Sequence, residues 1–136
     1  MELKTLLFST QGFISRKLFW ITILSLHFIY RIIDYIGDNI FNSYEPTSIS
    51  FIMFFISQMI PRFFGIFILL CSYFIAKKRN NEIGTYDWIP LFYVISLFFP
   101  TYVDALSKNP NLVLFIGIIP IGITFYLGLA SPKGRN

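Results

Sequence analysis

Cysteine and histidine are nearly absent from this chain, and charge is scarce. One cysteine, Cys71, set inside an apolar run, leaves no disulfide framework and no thiolate metal centre. We read it as a small buried hydrophobe. One histidine, His27, rules out an H-E-x-x-H zinc site, and no P-loop, G-x-S-x-G elbow or Cys–His constellation occurs. The expectation is therefore a protein that is not an enzyme and has no metal and no cofactor. Charged residues make up 13% of 136 positions, too few to clothe a soluble domain in polar groups. The lead Met1-Glu2-Leu3-Lys4 is not strongly basic and no small-x-small site follows the first apolar run, so no cleaved signal peptide is expected.

What the chain does have is grease. Hydrophobic residues reach 55% and aromatics 20%, with 17 Phe. Lipid removes the need for a polar surface, so this composition points to an integral membrane protein. The net charge of +4 sits in short clusters beside apolar runs, which suits a membrane interface and not nucleic acid.

The chain is organised around Lys77–Trp88, its one long polar interior segment, with a pair of apolar runs on either side. Residues 1–17 read as an interfacial N-terminal segment, with Phe19-Trp20 as an aromatic anchor at headgroup depth. Residues 18–36 form a first span of 19 residues, close to the roughly 20 needed to cross hydrocarbon. A polar turn runs from Gly37 to Ser48 and ends in Pro46-Thr47-Ser48, a helix-start signal.

The second run, Ile49 to Ala76, would extend about 42 Å as a straight helix, more than a core of roughly 30 Å requires. Pro61 frees the Ser57 carbonyl and predicts a kink. The span is placed at about 55–76, with residues 49–60 either tilted within the bilayer or at its outer interface. A cytoplasmic loop at 77–87 precedes a third span at 88–103, with Asp87 as its cap and Pro90 in its first turn. Asp104 to Pro110 is an outer turn, 111–130 the fourth span and 131–136 a basic tail. Gly117, Ile121, Thr124 and Gly128 share a helix face, a seam for close packing.

The fold class is thus all-α, with four transmembrane helices as two antiparallel hairpins and both termini cytoplasmic. Lys4, Arg16, Lys17, Lys77, Lys78, Arg79, Lys133 and Arg135 then lie inside, against Lys108 alone in an outer loop. That distribution obeys the positive-inside rule.

Three stretches resemble a known family. Gly12-Phe13-Ile14-Ser15-Arg16-Lys17-Leu18-Phe19-Trp20 is similar to the opening G-R-x-S-R-x-x-F-W of the YhaH-like proteins, the bacterial inner-membrane family of domain of unknown function 805. Lys78 to Trp88 resembles its central R-R-L-H-D-x-G-x-S-G-W, and Gly134-Arg135-Asn136 its closing G-x-N. Phe13, Asn81, Glu82 and Asp87 depart from those patterns. The resemblance implies a four-span fold in the bacterial cytoplasmic membrane and no particular activity.

Two polar groupings are candidate sites. The first is at the cytoplasmic face: Arg16, Lys78, Arg79, Glu82, Gly84 and Trp88. Lys77, Lys78 and Arg79 at a helix C-terminus complement its dipole and meet anionic headgroups, each worth about 1 kcal/mol there. The sharper reading is a docking surface, with Arg79, Glu82, Tyr86 and Trp88 gripping a lipid headgroup or a membrane-protein partner.

The second is intramembrane: His27, Arg31, Asp34, Arg62 and Asp104. Arg31 lies 15 residues past Arg16 and Arg62 15 before Lys77, so both stand about 22 Å from the inner boundary. Asp34 and Asp104 fall at a similar height. Either the four charges pair as a clamp between helices, or the arginines snorkel and the acids are solvated. His27 reads as an interhelical hydrogen bonder before a proton relay. The leading functional expectation is a scaffold or interaction protein acting through the cytoplasmic loop. The alternative is a small homo-oligomeric transporter or channel component using the intramembrane polar residues.

Overall fold

The computed structural model describes residues 3–43, 51–107 and 109–133. Within them the chain is all-helical: α1 (Leu3–Phe8), α2 (Arg16–Asn42), α3 (Phe51–Phe54), a π-helical turn (Phe55–Met59), α4 (Ile60–Ile83), α5 (Ile89–Ser107) and α6 (Pro110–Leu129). Three helices are long and apolar enough to cross a membrane: Arg16–Ile40, the continuous Phe51–Ile83 and Pro110–Leu129. The apolar stretch of α5, Ile89–Pro100, is shorter. Their outer faces are inverted relative to a soluble protein. Phe28, Tyr35, Phe63, Leu114, Phe115 and Ile118 are all well exposed, an arrangement that hydrocarbon tolerates and water does not.

Neighbouring helices run antiparallel. The start of α2 meets the end of α6, where Trp20 lies on Gly128, while the end of α2 meets the π turn, where Gly37 faces Ser57. The start of α5 meets the end of α6, where the Tyr93 and Thr124 hydroxyls are 3.2 Å apart. The starts of α2 and α5 and the ends of α4 and α6 therefore share one end of the bundle. The core is concentrated towards that end: Leu6, Ile14, Phe19, Ile75, Tyr93 and Leu127 are among its buried residues.

Several sequence boundaries are corrected. Helix α2 does not stop at Ile36, because Gly37 faces the π turn and the start of α4 and not a turn of its own. A Cβ there would come 2.6 Å from the Ser57 carbonyl oxygen and 2.8 Å from the Pro61 ring. The absence of a side chain lets the two backbones touch, and α2 continues to Asn42. The expected helix start at Pro46–Ser48 lies outside the described residues. Pro61, which can neither donate to Ser57 nor fit behind its carbonyl, follows a π turn, and the Ser57 carbonyl is turned towards Gly37.

The expected loop at 77–87 is largely helix, since α4 runs to Ile83 and stops at Gly84 with φ +73°. Gly84 donates its N–H to the Asn80 carbonyl at 2.8 Å, a left-handed cap that glycine supplies without steric cost. Helix α5 extends into the expected outer turn, to Ser107. Asp87 is turned to Lys77 in an ion pair of 2.6 Å. Helix α6 agrees with the expected fourth span, capped by the Asn109 side chain and opened by Pro110.

Candidate functional site: the clasped end of the bundle

The basic run at the end of α4 does not face outwards as expected. Lys78 and Arg79 are both fully buried. Side chains on a helix lean back towards its N-terminus, so these two reach under neighbouring segments and not into the headgroups. Lys78 Nζ donates to the carbonyls of Thr5 and Leu6, the latter at 2.8 Å. Both lie in the second half of α1, towards the negative end of its dipole. The N-terminal segment is accordingly packed on α4 and not spread along an interface. Leu6 and Ile14 are buried, and the Phe8 ring lies 5.7 Å from that of Phe67.

Arg79 performs the same task for the other end of the chain. Its Nε donates to the Leu127 carbonyl at 2.7 Å and Nη2 to the Ala130 carbonyl at 2.6 Å, closing the end of α6. Nη1 donates to Glu82 Oε2 at 2.6 Å and, at 3.4 Å, to the Ile14 carbonyl ahead of α2. The planar fork of arginine, with donors on three nitrogens, suits this convergence, and a lysine ammonium does not.

Two asparagines complete the clasp. Asn80 Nδ2 donates to the Tyr86 carbonyl at 3.2 Å and its oxygen accepts from the Thr85 hydroxyl, shaping the α4–α5 turn. Asn81 Nδ2 donates to the Thr10 carbonyl at 3.2 Å. The Lys133 backbone N–H donates to the Glu82 carbonyl at 3.3 Å, and its side chain lies over Gly84.

Three exposed features remain on this end. Arg16 Nη2 donates to the Ser131 hydroxyl at 2.9 Å. A cavity of about 270 Å³ opens among Ser15, Arg16, Glu82, Ser131 and Pro132. Beside the turn, the Tyr86 and Trp88 rings stack with centroids 6.3 Å apart and form an exposed aromatic ledge. Trp20 is not the lipid-facing anchor expected: it is half-buried on α6 and edge-on to Phe125, with Phe19 fully buried beside it.

Among the described residues the intramembrane grouping forms no ion pair. Arg31 and Arg62 are exposed, and among the described residues neither forms an ion pair with Asp34. The Asp104 side chain lies outside the described residues. His27 Nδ1 leans on the Ile23 backbone one turn earlier without reaching hydrogen-bond geometry, and Ser72 Oγ is buried without a partner among the described residues. A larger concavity, about 370 Å³, lies along the π turn and α4, lined by Phe55, Ile60, Phe63, Phe64 and Phe67 with no polar side chain.

Sequence reasoning had no access to Ser131, Asn80, Thr10 or the α6 carbonyls as partners, since each contact joins segments far apart in the chain or relies on backbone atoms that all residues share. The chain matches no family model, no curated protein and no solved structure.

Proposed function

We propose that this chain is a non-enzymatic scaffold or interaction protein of a bacterial cytoplasmic membrane. In this reading it has four spans, with α5 as the short third one, and both termini on the cytoplasmic side. The observation that carries the reading is where the accessible polar chemistry lies. The Arg16–Glu82 cavity, the Lys77–Asp87 pair and the Tyr86–Trp88 ledge gather on one end of the bundle, whereas the concavity along the spans is lined by apolar residues. The positive-inside rule assigns that end to the cytoplasm. Membership of the YhaH-like family is part of the proposal. Its opening and central stretches touch here, through Arg79 and the Ile14 carbonyl.

The docking surface is revised by the burial of Arg79: the groups able to meet a partner are Arg16, Tyr86 and Trp88, with anionic headgroups as their surroundings. The test is purification of the tagged chain in mild detergent with identification of co-purifying proteins. A reproducible partner lost on Trp88→Ala and Arg16→Ala, and kept on Phe115→Ala at the lipid-facing side, is expected. Loss of the partner on all three substitutions, or no partner at all, overturns the reading.

The buried, unpartnered Ser72 Oγ and His27 Nδ1 favour a second reading, a small homo-oligomeric transporter or channel component. It predicts a partner-free oligomer and ion flux through liposomes that falls on His27→Leu.

A further inference from the structure

Arg16 and Glu82 line the same cavity and carry opposite charges, yet they do not form an ion pair. Unrestrained, such side chains close on each other. Here each is tethered away from the other: Arg16 to the Ser131 hydroxyl, and Glu82 through Oε2 to the fully buried Arg79. Glu82 Oε1 accepts no hydrogen bond from the described residues. The Ser15 hydroxyl accepts the Leu18 N–H, and the Ser131 hydroxyl accepts from Arg16, so both keep their hydrogens to donate. The cavity therefore has a donor-rich cationic wall and an anionic wall held apart, at the helix ends where a spanning bundle meets lipid headgroups.

We propose that this cavity binds the phosphoethanolamine headgroup of a membrane phospholipid. The phosphate accepts from Arg16, Ser15 and Ser131, and the primary ammonium donates to Glu82 Oε1. A volume of about 270 Å³ corresponds to about nine waters, room for a headgroup of about eight non-hydrogen atoms. The charge pattern discriminates among headgroups. A phosphoglycerol headgroup brings an anion without an ammonium and leaves the Glu82 carboxylate facing it. A phosphocholine headgroup brings a quaternary nitrogen with no N–H to donate. The proposal rests on the bundle spanning a membrane and is independent of the scaffold reading.

The test is native mass spectrometry of the full chain released from nanodiscs containing equal parts phosphatidylethanolamine, phosphatidylglycerol and phosphatidylcholine with matched acyl chains. A single phosphatidylethanolamine adduct, enriched about tenfold over either competitor, is expected. Arg16 is exposed, so Arg16→Gln leaves the fold intact and lowers that adduct about tenfold, the loss of one charge-assisted bond. Glu82→Gln removes the preference over phosphatidylcholine, with circular dichroism verifying that the Arg79 clasp has survived. Equal adducts of all three lipids, or a phosphatidylethanolamine adduct indifferent to Arg16→Gln, overturns the assignment. Soluble phosphoethanolamine added in detergent separates the sources. Displacement only at large excess is expected of a lipid site, and binding as tight as the lipid's overturns a lipid as the occupant. None of these outcomes depends on a protein partner, so failure here and failure of the scaffold reading are told apart.

Discussion

Replacing Arg79 with alanine should cost more than any other single polar substitution in this chain. The guanidinium is fully buried and makes three short bonds, to the Leu127 and Ala130 carbonyls and to Glu82, plus a long one to Ile14. Taking each short bond at ~1.5 kcal/mol, the low end for charged groups because water reaches the bundle end, puts the loss at about 4.5 kcal/mol. Arg79→Lys keeps the charge but serves one or two of these acceptors, so about half that loss is expected. The assay is unfolding of the purified chain in mixed micelles of rising dodecyl sulfate, followed by Trp20 fluorescence, because Trp20 reports the α2–α6 contact directly. Limited proteolysis adds a second readout, with cleavage expected to appear between residues 9 and 15. An Arg79→Ala protein that unfolds within ~0.5 kcal/mol of the parent with an unchanged cleavage pattern would refute the clasp as a source of stability.

Other substitutions give distinct signatures. Gly128→Ala places a methyl within 2.3 Å of the Trp20 ring, so it should destabilise by about 1–3 kcal/mol despite the ~1 kcal/mol that alanine gains in a helix, and Trp20→Leu should rescue it in a double-mutant cycle read by circular dichroism in the same dodecyl sulfate titration. Gly37→Ala meets backbone at 2.6 Å, cannot be relieved by a side-chain rotation, and should loosen the α2–α4 contact, read as a cysteine crosslink between positions 30 and 65 that slows. Gly84→Ala forces a left-handed residue and should cost about 1 kcal/mol in the micelle titration. Lys77→Ala, which removes a pair whose Asp87 side chain is 88% exposed, should change stability by less than ~0.5 kcal/mol.

The helices were legible from their hydrophobic runs because hydrocarbon imposes one requirement, apolar length, on all of them. Helix α6 lies within a residue of the apolar run 111–130 at each end, because that run is unbroken by any charge. The ends of α2 and α4 were misread for one shared reason. Gly37 and the Asn80-Asn81 pair look like turn residues, and whether such residues end a helix depends on what stands opposite them. Opposite Gly37 stands a carbonyl, and around the asparagines stand the Tyr86 carbonyl of the following turn and the Thr10 carbonyl of a distant segment. Lys78 and Arg79 were misread for the same cause: sequence marks them as charged and adjacent to a span, but only tertiary structure supplies the acceptors that let them turn inwards. For Arg31 and Arg62, equal depth suggested a meeting, but depth says nothing of which face of its helix a residue occupies, and both arginines are exposed without an ion pair to Asp34.

The order of synthesis meets the clasp in an unfavourable direction. The Lys78 ammonium finds its acceptors in residues made long before it, so α1 meets its cation only once α4 has been made. Arg79 has the opposite problem, since its two best acceptors are made 48 and 51 residues after it. Until α6 has been made, the Arg79 guanidinium has Glu82 and the Ile14 carbonyl but lacks the acceptors that tie it to α6. This end of the bundle closes only once α6 has docked, and a chain in which it has not is distinguishable by its open, proteolytically vulnerable end.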